Sequence, residues 1–181
     1  MRILIIYGTT EGQTRKIARY MENHLQAKGH SVAIADASDE PPSPDTYDLV
    51  ILGGSMHAMK YQSALNHYVH GYIVSLNKKP SVFFSVSLGV VTGEEKDLEE
   101  ARKIAQHFAD DAGWKPTRIE LIAGALKYTQ YDFFKKLVMR YISGSKGGDT
   151  DTTQDYEYTN WLAVERFCDE VTQMVKEPAT A

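Results

Sequence analysis

Apolar residues fall along this chain in two alternating patterns: short continuous runs, and longer stripes at helical spacing. Ile3 to Ile6 is an unbroken run of isoleucine and leucine, the pattern of a strand covered on both faces in a parallel sheet. The run stops at Tyr7-Gly8 and gives way to Thr9, Thr10, Gly12 and Thr14; a helical stripe of Ile17, Ala18, Met21 and Leu25 follows at once. Arg2 to Tyr7 is therefore predicted as a first strand, and Gln13 to about Lys28 as a first helix closed by Gly29. Ser31 to Ala35 alternates weakly and predicts a second strand. Pro41, Pro42 and Pro44 exclude regular structure from the loop between Asp36 and Thr46.

The same alternation repeats. Tyr47 to Gly53 carries the run Leu49-Val50-Ile51-Leu52 and predicts strand three. One helix follows, with Leu65, Tyr68, Val69, Tyr72 and Ile73 on its inner stripe, broken at Lys78-Lys79-Pro80. Ser81 to Leu88 predicts strand four. Glu94 to Ala112 predicts a helix with Leu98, Ala101, Ala105, Phe108 and Ala112 inward and acidic Glu94, Glu95 and Asp97 in its first turn, as the helix dipole favours. Arg118 to Ala123 predicts strand five. The alternation is then interrupted for about thirty residues, longer than an ordinary connection, before a last helix from about Asn160 to Lys176.

Strands alternating with helices predict an α/β fold, a parallel sheet wrapped on both faces. Five strands in one domain spanning residues 1–181 suggest the flavodoxin-like order 2-1-3-4-5, a three-layer sandwich with an insertion at about 125–157, after or within strand five. Such sheets bind ligands outside the carboxyl ends of the strands, where the order reverses between strands one and three. The loops Gly8 to Gln13, Gly54 to Tyr61 and Ser87 to Gly93 lie at those ends, and each is rich in small or hydroxyl residues.

Composition narrows the class. The chain has 181 residues, 43% of them hydrophobic and 24% charged, as in an ordinary globular protein. A net charge of −4 at pH 7 argues against a nucleic-acid binder, which would be basic. The single cysteine, Cys168, excludes an intramolecular disulfide and a multi-cysteine metal site. The N-terminus reads as a core strand rather than a cleavable leader, and no apolar run approaches the ~20 residues that span a bilayer, so a cytoplasmic protein is expected.

A strand, a tight polar loop and a helix start bring free backbone N–H groups and the positive end of a helix dipole to one point, which suits a phosphate. The loop is neither G-x-x-x-x-G-K-[ST] nor G-x-G-x-x-G, so it lacks both the triphosphate lysine and the dinucleotide glycines. Its threonines suit one terminal phosphate monoester. The competing reading is an ordinary turn in which Thr9 or Thr10 caps the helix.

Over nearly its whole length the chain resembles the flavodoxin family. Thr9-Thr10-Glu11-Gly12-Gln13-Thr14 is similar to the family's phosphate loop for flavin mononucleotide, FMN. Three later motifs are similar to the flavodoxin-fold, menaquinone-dependent protoporphyrinogen oxidases: Ile122-Ala-Gly-Ala-Leu-Lys-Tyr128, Gly147-Gly-Asp-Thr-Asp-Thr152 and Tyr158-Thr-Asn-Trp161. The segment after strand three departs from that subfamily, reading His57-Ala58-Met59-Lys60 where arginine, tyrosine and glycine are usual.

The resemblance implies that the phosphate would rest on Thr9, Thr10, Gly12, Gln13 and Thr14, with Glu11 in the same loop. The flavin ring would lie between Met56, His57, Met59 and Tyr61 on one side and Leu88, Gly89 and Val90 on the other, with Ser55, Ala58 and Ser87 in the same loops. A flat apolar slot with a few polar contacts suits such a ring, and the flavin itself would carry the chemistry. His57 is then either a proton shuttle and charge stabiliser beside the flavin, or a surface residue without a role. His67 and His70 share a helix face, but no further ligand completes a metal site.

The interruption after strand five resembles the insertion of long-chain flavodoxins. Within it, Tyr131 to Ser143 is amphipathic, with Phe133, Phe134, Leu137, Val138, Tyr141 and Ile142 on one half and Lys135, Lys136 and Arg140 on the other. It is either a helix packed on the domain or a docking element for the inner face of a membrane or for a quinone-reductase partner. The leading expectation is an FMN-dependent oxidoreductase that passes hydrogens from a reduced tetrapyrrole to a quinone; the alternative is a flavodoxin-type electron carrier that docks to a redox partner protein.

Overall fold

The computed structural model describes residues 1–126 and 156–176. Five parallel strands form one sheet: β1 (Arg2–Gly8), β2 (Ser31–Asp36), β3 (Leu49–Ser55), β4 (Ser81–Ser87) and β5 (Arg118–Ala123), in the order β2-β1-β3-β4-β5. This is the expected flavodoxin-like arrangement. The helices are α1 (Gln13–Ala27), α2 (Ser63–Gly71), α3 (Ile73–Lys78), α4 (Glu95–Asp111) and α5 (Trp161–Lys176). Two short strands, β6 (Ala125–Leu126) and β7 (Tyr156–Glu157), pair antiparallel and join the two ends of the interruption after β5. The amphipathic stretch 131–143 lies outside the described residues.

Continuous apolar runs follow from burial on both faces. Ile3, Ile5 and Tyr7 of β1 pack with Leu49 and Ile51 of β3 under α1 and α5, against Ile17, Met21, Leu25, Phe167 and Val171. Leu4 and Ile6 alternate with them and pack with Val50, Leu52 and Phe83 against Leu65, Val69, Ala105 and Ala109 on the other side. Successive strand residues point to opposite faces, so a strand covered on both sides has no polar position to spare. Cys168 sits in the first of these cores, and burial pushes its thiol up to about 12, so it is not a reactive group.

Two local departures from the sequence reading have physical causes. The single helix expected after β3 divides at Tyr72, whose backbone leaves the helical region at φ −118 and ψ 20. The hydrogen bonds run through the break, from Tyr72 N–H to Tyr68 C=O and from Leu76 N–H to Tyr72 C=O, so α2 and α3 share one inner face. The proline-rich loop before β3 is not wholly irregular: Pro44–Thr46 forms a 3-10 turn, with Pro44 in the first position and the Ser43 hydroxyl accepting from the Asp45 N–H. Lys79 donates to the carbonyls of Pro44, Asp45 and Tyr47 and ties this turn to the start of β4.

At the amino end of β4 the Trp114 indole N–H donates to Ser81 Oγ at 2.8 Å, and that hydroxyl donates onward to Leu76 C=O at 2.9 Å. Both Ser81 and Trp114 are buried. Ser81→Ala strands the indole N–H in the core, and the expected loss of stability is about 1–3 kcal/mol, measured by urea denaturation. A cost within error of zero would mean that the indole finds another partner.

Candidate flavin site

The carboxyl ends of β1, β3, β4 and β5 converge on one cleft. At the end of β1, Gly12 adopts φ +94 and its N–H donates to Thr9 Oγ1 at 2.9 Å. That left-handed conformation is cheap only for glycine. Helix α1 then starts at Gln13 with no side chain capping it. Thr9 is thus engaged within the loop, and Thr10 Oγ1 accepts from Gln62 Nε2 at 3.0 Å. Neither threonine caps the helix, and among the described residues no side chain takes its first-turn N–H groups, a donor set that suits an anion.

The sheet continues one step beyond β3, where Met56 N–H donates to Val86 C=O at 2.8 Å. His57 and Lys60 then exchange backbone hydrogen bonds at 2.9 and 3.0 Å across a two-residue turn. Ala58 and Met59 take φ 47 and 63 there, a geometry usually filled by asparagine and glycine. Met59 sits at the tip, 65% exposed. The chain next returns to the sheet through Tyr61 and Gln62.

Glycines make that return possible. A Cβ on Gly54 would lie 2.6 Å from the Tyr61 ring, and one on Gly53 would lie 1.9 Å from the Phe84 ring. The Tyr61 ring packs against Phe83 and Phe108 at 5.1 and 4.8 Å between centroids, and its hydroxyl shares a 2.7 Å hydrogen bond with Ser85. Burial pushes the phenol up to about 12. Tyr61 therefore lies outside the cleft lining, beneath the loop rather than at the surface a flavin ring would meet.

After β4, Val91 N–H donates to Leu88 C=O, and Thr92 binds the Asp97 carboxylate and the Glu94 N–H, which ties the loop to the start of α4. Beyond β5, Gly124 N–H donates to Ser87 C=O and Gly124 C=O accepts from Tyr158 N–H. Gln13 Nε2 donates to Thr159 Oγ1, which donates to Ala123 C=O. The segment that returns from the interruption is in this way fastened to the start of α1.

Of the residues singled out in the sequence, the structure brings Thr10, Glu11 and Gln13 together with Ser55, Met56 and His57, and with Ser87 and Leu88 across the gap. Thr9, Gly12, Thr14, Ala58, Met59, Tyr61, Gly89 and Val90 are not among the lining residues. Val86, Gly124 and Ala125 line the cleft and were not anticipated, although Gly124 lies inside one of the motifs that carried the resemblance. Gln62 and Thr159, which tie the loops together, were not anticipated either. Gln62, one place before α2, gives no sign of such a role, whereas Thr159 lies inside the motif Tyr158-Thr-Asn-Trp161.

The site has open polar valences. Thr14 Oγ1 and Ser87 Oγ are buried without a hydrogen-bond partner among the described residues, as is Gln62 Oε1. Buried polar atoms are rarely left so, and each orphan asks for a ligand or a water. The orphaned Ser87 hydroxyl among the apolar Met56, Val86, Leu88 and Ala125, with the orphaned Thr14 hydroxyl in the first turn of the uncapped α1, makes a donor set that fits a phosphorylated flavin.

The sheet order and this phosphate-type loop define an α/β nucleotide-binding protein with its cleft at the switch point. Residues 4–153 match the flavodoxin domain family, and the chain belongs to that family. With the family comes its cofactor, FMN. The chain is 34% identical over 179 residues to protoporphyrinogen IX dehydrogenase [quinone] of Escherichia coli K12, with 98% of each chain covered. It is 31% identical to the Leishmania major protein of that name, across 92% of this chain and 72% of that one. The fold matches oxidised flavodoxin 1 of Bacillus cereus with a TM-score of 0.57 at 13% identity, covering 96% of this chain and 98% of that one.

The turn after β3 yields a test. Two adjacent residues other than glycine at positive φ each cost about 1–2 kcal/mol. Met59→Gly relieves one of them at an exposed site, and after the added chain entropy of glycine the expected gain is up to about 1 kcal/mol in denaturant unfolding. A loss of stability would show that the Met59 side chain contributes packing.

Proposed function

We propose that this protein is an FMN-dependent oxidoreductase that takes hydrogens from protoporphyrinogen and delivers them to a quinone. The observation that carries the reading is the end-to-end match to the Escherichia coli enzyme, 98% of both chains, including the interruption after β5. The cleft supports it. Thr10, Gln13 and Thr14, with the open N–H groups of α1, would hold the phosphate, and Met56, His57 and Leu88 would border the ring. Ser87, with its orphaned hydroxyl, would meet the ring's polar edge. Tyr61 acts one layer below, holding the β3 loop against the sheet through Ser85.

Bound FMN supplies the capacity to accept a pair of hydrogens from one substrate and hand them to another. Each pair removed from the porphyrinogen, two electrons and two protons, reduces one quinone to its quinol. The protein's part is to bind and orient the flavin and to border its ring with apolar side chains. His57 at the cleft edge is the ionisable group nearest to a role in proton movement.

Anaerobic mixing of the FMN-loaded protein with protoporphyrinogen should bleach the flavin absorbance. Addition of a menaquinone analogue should restore it, with porphyrin fluorescence rising as quinol forms. A flavin that stays oxidised under protoporphyrinogen but is reduced by a flavodoxin reductase would favour the electron carrier instead.

The sequence pattern of Tyr131 to Ser143 supports peripheral contact with the membrane that holds the quinone. Among the described residues no helix is long and apolar enough to cross a membrane. Anionic vesicles should sediment the full chain at low salt, and reversing Lys135, Lys136 and Arg140 to glutamate should abolish this; equal sedimentation of both proteins would remove the membrane role.

A further inference from the structure

Gln62 stands just before α2 and reaches to the end of β3 and the loop after β1. Its Nε2 donates to Ser55 C=O at 3.0 Å and to Thr10 Oγ1 at 3.0 Å. The orientation of this amide follows from its partners. A carbonyl oxygen only accepts, so the atom facing Ser55 must be the nitrogen. Both amide hydrogens are then used, and Thr10 Oγ1 must accept one of them. Its own proton is left to point elsewhere, and Thr10 lines the cleft beside the uncapped start of α1. The amide could not reverse without setting its oxygen against the Ser55 carbonyl, so the nitrogen faces both partners and Oε1 stays buried and unpartnered among the described residues. Gly8 leaves room for the side chain: a Cβ there would lie 2.8 Å from that oxygen.

We propose that Gln62 is a positioning residue that fixes the Thr10 hydroxyl as a hydrogen-bond donor to the cofactor's terminal phosphate, and so makes the cleft select phosphorylated over unphosphorylated flavin. The inference rests on the reading that FMN occupies this cleft. A hydroxyl free to rotate loses part of its time in other directions; one whose lone pair is already engaged presents its proton to the anion without that loss. Gln62 also spans the loops after β1 and β3, through Thr10 and Ser55, so the phosphate loop and the ring loop are held by one side chain.

The test compares FMN and riboflavin binding to the full-length apoprotein by quenching of flavin fluorescence. Riboflavin has the ring and lacks the phosphate. Gln62→Ala removes both donors, and Gln62→Glu keeps the shape while replacing the donor by a carboxylate that repels phosphate. Both variants should weaken FMN binding roughly tenfold or more, glutamate more than alanine, with riboflavin affinity unchanged within about twofold. Unchanged FMN affinity in both variants would overturn the proposal, and so would parallel losses for FMN and riboflavin, which mark general damage to the loops. A wild-type protein that binds neither flavin would overturn the cofactor reading itself, and this inference with it.

Discussion

Burial of β1 and β3 on both faces is the constraint from which the rest of the molecule follows. These neighbouring central strands have no exposed side, so each must be covered above and below. The chain leaves β1 toward α1 on one face and leaves β3 toward α2 on the other. Helices that depart to opposite sides pull their connecting loops apart, and the gap opens at the carboxyl ends of the two strands. The cleft is thus a consequence of how the core is covered rather than a feature added to it.

What fills the edges of that gap is decided by missing side chains. Gly53 and Gly54 end β3 without Cβ atoms, and the Phe84 and Tyr61 rings occupy the space. Tyr61 drawn into the aromatic cluster pulls the loop down onto the sheet, which brings Gln62 over Gly8 and within reach of Thr10. The turn at His57 to Lys60 then has to close in two residues, and it does so with Ala58 and Met59 at positive φ. Backbone strain at this position is held by the sheet on one side and the Tyr61 anchor on the other, as strain at functional loops generally requires.

The strands and their order were legible because a strand covered on both faces leaves an unbroken apolar run. The runs in β1 and β3 are of strand length and end at glycines, which favours a strand over a buried helix. The loop after β1 stood out in the sequence, but the sequence could not say whether Thr9 and Thr10 cap the helix; the structure engages one with Gly12 and the other with Gln62. The packing of Tyr61 against Phe83 and Phe108 was not legible, for a physical reason. An aromatic residue in a ligand loop reads as a ring-stacking surface, and only the three-dimensional neighbourhood reveals the slot left by Gly54. The break at Tyr72 was invisible because hydrogen bonds and the apolar stripe both run through it. Strands of two residues, such as β6 and β7, are too short to leave any periodicity.

The charge of the site bears on how it holds an anion. The chain carries a net charge of −4, and among the described residues the cleft lining holds Glu11 but neither lysine nor arginine. A phosphate there cannot be drawn in by the general field of the protein, which repels it. On the proposed reading its binding would come from short-range donors: the first-turn N–H groups of α1, the Thr14 hydroxyl and the Thr10 hydroxyl aimed by Gln62. Such contacts depend on angle and distance rather than on net charge, and salt screens them far less than it screens an exposed ion pair. An anion site built from neutral groups must have every donor pointing the right way, and this is why a side chain one layer removed, fixing a single hydroxyl, matters here more than it would beside a lysine.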